Sequence, residues 1–142
     1  MSKENVEIVR RLFEAVEKRD GAGVLGTYDE NIVIREAASL PYGGEYRGLE
    51  GALRHAQGYR RAWDKLQTSN EQKLDAEFFD AGDSVIVRWR QKAVKGDEKL
   101  DLQAVSIYKM RDGKIAASEM FQDTAAVLRF LNAEQEGNFG AI

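Results

Sequence analysis

The chain has 142 residues, a formal net charge of −3, 43% hydrophobic residues and 32% charged residues. This length favours one domain, which we place over residues 1–142 with a core at about 4–131 and a loose tail at 132–142. The sequence contains no Cys and a single histidine, His55, which excludes disulfides, thiolate nucleophiles and His–His metal pairs. It also has no phosphate-binding glycine loop or nucleotide fingerprint. We therefore expect neither a metal nor a cofactor.

Acidic and basic residues are mixed along the chain, and no window collects five or six like charges. This pattern argues against a nucleic-acid partner. The first residues are charged throughout and contain no apolar run that forms a signal peptide or spans a bilayer. We therefore expect no membrane partner and a cytoplasmic location.

Helical periodicity opens the chain. Ser2 is placed to cap a helix whose apolar residues recur at three- and four-residue spacing, and two glycines near residue 21 end it. A short second helix is predicted at 22–28, and a strand at 31–36. A loop then follows, because Pro41 and three glycines interrupt the β-rich pattern.

A third helix is predicted at 49–66, because its apolar residues cluster on one face. Beyond it the periodicity changes to two, which predicts four successive strands at 70–79, 84–94, 99–110 and 114–121. The turn sequences DAGD, KGDE and RDG separate these strands. The last apolar residues, 125–131, predict a short terminal helix.

This order of elements predicts an α+β fold, in which a curved antiparallel sheet wraps as a cone around three helices. The interior of such a cone is a place for a small apolar ligand. The outer face of the four-strand meander has no helix of its own. We expect it to expose apolar residues such as Trp89 and Tyr108 and to form a homodimer interface.

Three segments resemble a known family: ENVEIVRRLFEAVEKRD at the start, YGGEYRGLEGALRH at 42–55, and DAGDSVIVRWRQ with IYKMRDGKIAASEMFQD further on. Together they resemble bacterial SnoaL-like proteins, of the superfamily that includes nuclear transport factor 2 and ketosteroid isomerase. The resemblance implies the cone-shaped, cystatin-like roll of that superfamily. It implies no single function, because the superfamily includes isomerases, cyclases, epoxide hydrolases and non-catalytic binders.

The resemblance singles out two acids. Asp123 stands at what looks like the place of the Asp that SnoaL-like cyclases use for aldol-type ring closure, and Glu36 aligns with the general base of ketosteroid isomerases. A carboxyl group in apolar surroundings transfers protons near neutral pH, because desolvation raises its pKa. The alternatives are that Asp123 caps the terminal helix and that Glu36 pairs with Arg35 or Arg47 at the surface.

Other side chains are predicted to face the interior and to bind substrate. They are Tyr42 in the glycine-rich loop, His55, Tyr59 and Trp63 along the third helix, and Glu119 and Phe121 on the strand face that leads to Asp123.

Arg88 and Arg90 alternate with Val87 and Trp89 along one predicted strand. An inward-facing Arg88 or Arg90 would bind a carboxylate or enolate oxygen, whereas the alternative is a basic stripe in solvent with Trp89 in the core. Arg90 and Asp123 also match two members of the relay found in limonene-epoxide-hydrolase-like sites. Lys92 stands where the second acid of that relay is expected, so the relay is incomplete.

The ketosteroid isomerase pattern is incomplete too, since Leu12 and Ser106 stand where that family has its oxyanion donors. Two functions follow. The first is a cofactor-free cyclase, isomerase or lyase acting on a small apolar carbonyl or polyketide-like compound, with Asp123, Glu36 and Arg90 as catalytic candidates. The second is a non-catalytic ligand-binding or dimerisation module of the same fold.

Overall fold

The structure is a computed structural model that describes residues 2–131. The helices are α1 (Ser2–Glu17), α2 (Gly21–Gly26), α3 (Gly48–Trp63) and α4 (Thr124–Leu131), and a 3₁₀ turn at Asp64–Leu66 continues α3. The strands are β1 (Tyr28–Glu36), β2 (Gly44–Arg47), β3 (Glu77–Ala81), β4 (Ser84–Lys95), β5 (Glu98–Arg111) and β6 (Lys114–Phe121). The predicted loose tail at 132–142 lies outside the described residues.

The strands form one curved, unclosed sheet in the order β2-β1-β6-β5-β4-β3. The antiparallel meander β3 to β6 follows the turns that the sequence predicts, and Gly82, Gly96 and Gly113 hold positive φ angles there. β1 completes the sheet by pairing parallel with β6. The predicted α+β fold with a curved sheet is confirmed, with this one parallel pair in it.

Two strands differ from the sequence-based predictions. Residues 44–47, predicted as loop, form β2 and pair antiparallel with the end of β1. β3 begins at Glu77 rather than at residue 70. The residues before it are folded into turns, in which the Gln72 amide donates to the Thr68 carbonyl.

The helices cover one face of the sheet. On β4 the buried side chains alternate along the strand, as Val85, Val87, Trp89, Gln91 and Ala93. Phe13 of α1 meets Trp89 and Tyr108 edge-on, with ring centroids 6.0 Å apart in both pairs. The prediction that Trp89 and Tyr108 are exposed on the outer face is therefore wrong, because their strand positions place them under α1.

The outer face of the sheet carries charged residues together with large apolar ones. Phe79 of β3 and Phe121 of β6 are 45% and 50% exposed. Between them, Ile86 of β4 pairs in register with both Phe79 and Ile107 of β5. None of the helices among residues 2–131 is long and apolar enough to cross a membrane.

The buried side chains form two apolar clusters. The first packs α1 against the sheet and includes Leu12, Phe13, Ile34, Ala52 and Trp89. The second lies towards α4 and includes Leu40, Trp63, Ala93, Leu100 and Val127. Several elements contribute residues to both clusters. The residues that lie between the two clusters on these elements form a layer inside the fold, which we call the boundary layer.

Candidate functional site

A band of polar side chains occupies this boundary layer. On β1, α3 and β4, and in the link from β6 to α4, polar residues stand beside or between the apolar residues of the two clusters. These residues, which we call the polar band, are Glu36 on β1, His55 and Tyr59 on α3, Gln91 on β4 and Gln122 directly after β6.

Glu36 and His55 form a buried pair at the centre of the band. Glu36 Oε2 and His55 Nε2 are 2.8 Å apart, and the two side chains are 4% and 16% exposed. A contact this short requires a proton between the two atoms. Glu36 Oε1 is also buried but has no hydrogen-bond partner. Leaving a buried polar atom unpaired costs about 1–3 kcal/mol, so this oxygen is poised to bind a further group.

The pair forms because the chain turns back at the end of β1. β2 pairs antiparallel with β1 and leads directly into α3, which brings His55 to a residue 19 positions earlier. Two glycines let α3 lie close to the returning segment. A Cβ at Gly58 would lie 3.3 Å from the Tyr42 side chain, and one at Gly51 would lie 3.1 Å from the Tyr46 backbone.

Two tyrosine hydroxyls lie beside the pair. Trp63 Nε1 donates to the Tyr42 hydroxyl oxygen at 3.0 Å, and Gln91 Nε2 donates to the Tyr59 hydroxyl oxygen at 2.9 Å. Each hydroxyl therefore keeps its own proton for donation to another group. Burial above all raises the pKa of Tyr42 and Tyr59, and the nearby Glu36 charge adds to the increase. Both hydroxyls stay protonated at neutral pH.

The charge of the same carboxylate also affects the pKa of two further tyrosines. Burial raises the pKa of Tyr28 and of Tyr108, and the charge of Glu36 contributes to both increases. Trp89 Nε1 donates to Ser106 Oγ at 3.0 Å on the inner face nearby. The charge of Glu36 thus adds to the increase in pKa of four buried tyrosines, Tyr28, Tyr42, Tyr59 and Tyr108.

Aromatic rings pack against one another along α3, and the Tyr42 ring meets those of Tyr59 and His55 edge-on. The Tyr42 ring lies 5.1 Å from that of Tyr59 and 6.4 Å from that of His55, measured between centroids. His55 and Tyr59, both predicted to bind substrate, form hydrogen bonds with Glu36 and Gln91 respectively. Trp63 is fully buried and acts through Tyr42.

The candidates at the end of β6 lie away from the polar band. Asp123 is exposed, and its Oδ1 accepts a hydrogen bond from the Ala126 amide at 3.1 Å, which is the helix-capping alternative. Glu119 and Phe121 are exposed on the outer face, where they pair in register with Ile107 and Val105 of β5. Strand alternation therefore turns these two side chains away from Glu36.

The basic strand residues also lie outside. Arg88 pairs with Glu77 at 2.5 Å and Arg90 with Asp101 at 2.7 Å, each across neighbouring strands on the outer face. This is the solvent-facing basic stripe rather than an interior anion site. Arg35 is likewise occupied at the surface, by Glu45.

The band is closed to solvent by the segment before β2. Tyr42 is 1% exposed and covers Tyr59 and Trp63. Two surface clefts, of about 290 and 420 Å³, lie elsewhere, and neither is lined by a residue of the polar band. The smaller one lies outside the closing segment, between Pro41 and Gly58.

Within residues 2–131, no group of three or more His, Asp or Glu residues is arranged to hold a metal ion. The chemistry available to the band is therefore that of a carboxylate, an imidazole, phenols and amides.

Comparison with known proteins agrees with this architecture. The chain belongs to the SnoaL-like domain family, whose model matches residues 9–118. No curated protein sequence matches the chain. Among solved structures, TerC co-crystallised with polyporic acid is similar with a TM-score of 0.79 and 21% identity, over 91% of this chain and 98% of that one.

Two further structures support the same fold. An NTF2-like protein of unknown function from Burkholderia pseudomallei has a TM-score of 0.78 and 21% identity, over 90% of this chain and 97% of that one. A Jannaschia protein assigned by name to the SnoaL-like polyketide cyclases has a TM-score of 0.71 and 20% identity, over 92% and 93% of the two chains. At such identities the likeness establishes the fold alone.

Sequence reasoning named Glu36, His55, Tyr42, Tyr59 and Trp63 but did not pair Glu36 with His55. It also missed Gln91 and Gln122. A signal for Gln91 was present, because it occupies an inward position of β4 among residues that are otherwise apolar.

Proposed function

We propose that the chain is a cofactor-free acid–base enzyme that moves a proton on a small, mostly apolar carbonyl compound. The observation that carries this proposal is Glu36, a buried carboxylate with one oxygen held by His55 and the other unpartnered. The unpartnered Oε1 is the atom that would take a proton from carbon or oxygen. His55 holds the carboxylate in place and takes part in the proton balance of the site.

The two tyrosines supply the complementary electrostatic part. A proton taken from the carbon beside a carbonyl leaves negative charge on the carbonyl oxygen. The hydroxyls of Tyr42 and Tyr59 accept from Trp63 and Gln91, so in this arrangement their own protons are available to a ligand oxygen. Fixed donors of this kind lower the barrier because they need no reorganisation during the reaction.

The family supports a small organic ligand without naming it. TerC was crystallised with polyporic acid, and the Jannaschia relative bears the name of a polyketide cyclase. A cyclase, an isomerase and a lyase all begin with such a proton transfer. The polar band contains the carboxylate and the hydroxyl groups that this shared first step needs. The later steps depend on the substrate.

The second candidate is a non-catalytic ligand binder of the same fold. It is favoured by the burial of the band, since the Glu36 side chain is 4% exposed and neither of the two clefts described above is lined by a residue of the band. The epoxide-hydrolase-like alternative gains no support, because Arg90 lies on the outer face, paired with Asp101.

Proton exchange tests the proposal without knowledge of the natural substrate. We expect the wild-type chain in heavy water to accelerate exchange of the acidic carbon-bound protons of 2-tetralone, followed by proton NMR. Glu36→Gln removes the base and should slow this exchange by about 10²–10⁴-fold. Asp123→Asn, which keeps a capping side chain, should exchange at the wild-type rate.

Each other outcome points away from the proposal. Loss of exchange in Asp123→Asn with retention in Glu36→Gln would transfer the role to Asp123. No wild-type exchange above the buffer rate would remove the acid–base function and leave the binder.

We also propose that two chains pair through the outer sheet face. Phe79 and Phe121 are half exposed there, on either side of Ile86 and Ile107. An apolar surface of this kind is typical of an interface. Sedimentation equilibrium should give a dimer for the wild-type chain and a monomer for Phe121→Lys, and a monomeric wild type would contradict the proposal.

A further inference from the structure

The buried polar atoms that lack a partner are concentrated in one place. Within residues 2–131, the buried side-chain nitrogen and oxygen atoms without a hydrogen-bond partner are Glu36 Oε1, Gln91 Oε1, and both Nε2 and Oε1 of Gln122. All three residues belong to the polar band. Folded proteins pair the large majority of such atoms, so four unpaired atoms in a single layer call for a common explanation.

Gln91 is held so that one amide atom stays available. Its side chain is 1% exposed, and its Nε2 donates to the Tyr59 hydroxyl at 2.9 Å, which leaves Oε1 without a donor. Exchanging the amide oxygen and nitrogen would pair Oε1 with that hydroxyl and leave Nε2 unpaired instead. In either orientation Gln91 presents one buried polar atom.

Gln122 presents a complete amide. It follows β6 two residues after Met120, which pairs in register with Ser106 on the inner face of β5. Gln91, on the other side of β5, pairs in register with Leu102. The two amides therefore flank the inner side of β5, and Gln122 adds both a buried donor and a buried acceptor.

We infer that Gln91 and Gln122 form an amide subsite that binds hydroxyl groups of the ligand, beside the proton-transfer centre at Glu36. This inference rests on the proposed function only in placing the ligand in the polar band. A carbonyl oxygen accepts hydrogen bonds but cannot donate to Glu36 Oε1 or to the unpaired amide oxygen of Gln122, whereas a hydroxyl both accepts and donates. The substrate class is therefore a flat, unsaturated compound with at least two hydroxyl groups, which the rings of Tyr42 and Tyr59 would stack against.

A graded set of ligands tests the subsite directly. Fluorescence titration of the full chain would compare naphthalene, 2-naphthol and 2,7-dihydroxynaphthalene, which differ in the number of hydroxyl groups. We expect the second hydroxyl to tighten binding about tenfold in the wild-type chain, as one added hydrogen bond in a buried site does. Gln122→Leu should abolish this gain while leaving the affinity for 2-naphthol within about twofold.

Matched variants separate the subsite from general effects. Gln103→Leu, on the exposed outer face of β5, should keep the full gain. Gln91→Leu should reduce the gain from the second hydroxyl. It should also weaken 2-naphthol binding, because the substitution removes the hydrogen bond that holds the Tyr59 hydroxyl. An undiminished gain in Gln122→Leu, or equal wild-type affinity for the two naphthols, would overturn the inference.

Stability without ligand gives an independent readout. Gln122→Leu removes a buried amide that has no partner, so its unfolding midpoint should rise above that of the wild type. A lower midpoint would show that the amide is already satisfied in the folded chain and would overturn the subsite. Should Gln122→Leu not fold, Gln122→Met carries both measurements. Binding gain without exchange of 2-tetralone would leave the subsite standing and remove only the acid–base function.

Discussion

Burying the side chains of Glu36 and His55 in the protein interior is unfavourable for the stability of the fold. Carboxylates are almost never fully buried unless they are paired, and here the pair satisfies only one of the two carboxylate oxygens. The surface partners that the sequence suggested for Glu36, Arg35 and Arg47, lie on the opposite face of the sheet, because side chains alternate along a strand. Both arginines pair with Glu45 instead. Stability alone does not account for this placement, which agrees with a role in binding or chemistry.

The buried pair predicts a strong coupling between its two members. His55→Phe leaves the Glu36 carboxylate without its partner and should lower the unfolding free energy by about 3–5 kcal/mol. Adding Glu36→Met removes the stranded carboxylate, so the double variant should be more stable than His55→Phe alone. Urea denaturation of the wild type, both single variants and the double variant measures the coupling.

The outcome that contradicts this prediction is simple additivity. If the unfolding free energies lost in the two single variants sum to the loss in the double variant within about 0.5 kcal/mol, the two residues contribute to stability independently. Arg35→Met, which removes a surface partner of Glu45, serves as the control and should change stability by less than about 1 kcal/mol.

Single residues could be predicted from the sequence only where the signal is local. The capping role of Asp123 was visible because Asp and Thr precede an apolar helix, and the structure has this hydrogen bond. The pairing of Glu36 with His55 spans 19 residues and depends on how β2 returns the chain. Periodicity in the sequence does not indicate which residues meet across such a separation.

The segment that closes the polar band is a compact turn. The Leu40 amide donates to the Ala37 carbonyl at 3.1 Å, and the Gly43 amide donates to the Leu40 carbonyl at 2.9 Å. These two bonds place Tyr42 over α3, where Gly58 leaves room for it. Ala37, Leu40 and Tyr42 pack this segment against the second cluster, so these are the contacts that an opening of the band would break.

Gly43→Ala tests how tightly this turn is folded. A Cβ there would lie 2.2 Å from the Ala37 carbonyl oxygen, so the backbone must shift and Tyr42 with it. We expect a loss of about 1–3 kcal/mol in unfolding free energy, together with faster binding of 2-naphthol because the band is opened. Urea denaturation and stopped-flow fluorescence measure the two effects.

Gly26→Ala is the matched control, since a Cβ at Gly26 meets nothing within 4 Å. It should leave both stability and the binding rate close to those of the wild type. A Gly43→Ala variant as stable as the wild type would show that the turn is loose rather than tightly folded.

At the level of elements, the turns were the most informative part of the sequence. Asp-Gly and Gly-Asp sequences fix tight turns through positive φ, and they predicted the β4-β5-β6 meander nearly to the residue. β2 was missed because four residues beside two glycines give no usable alternation. The parallel pairing of β1 with β6 joins strands from opposite ends of the chain, which local patterns do not determine.

For the whole molecule, the two apolar clusters and the polar band form one unit. Periodicity predicted which positions of the strands alternate, although Trp89 and Tyr108 were assigned to the outer face and lie in the core. The band consists of the positions where the apolar periodicity is interrupted inside the fold. The outer face remains a predicted dimer interface, now assigned to Phe79, Ile86, Ile107 and Phe121 rather than to Trp89 and Tyr108. The core and the predicted interface thus lie on opposite faces of the same sheet.

The tyrosines buried in this interior predict how the stability of the molecule depends on pH. Burial raises the pKa of Tyr42 and Tyr108 above the usual tyrosine value near 10. Their folded-state pKa exceeds the unfolded-state pKa, so their contribution to stability is fully present below about pH 10 and is lost as pH rises further. Above that value each should lower the unfolding free energy by about 1.4 kcal/mol per pH unit.

Urea denaturation between about pH 8 and 11 measures this slope. Tyr42→Phe and Tyr108→Phe each remove one ionising group, so each variant should lose less stability per pH unit than the wild type, whatever its stability at neutral pH. Lysine deprotonation affects all three chains alike and cancels in the comparison. Equal slopes in all three chains would mean that these phenols ionise as readily in the folded protein as in the unfolded one, and would place them in contact with water rather than beside Glu36.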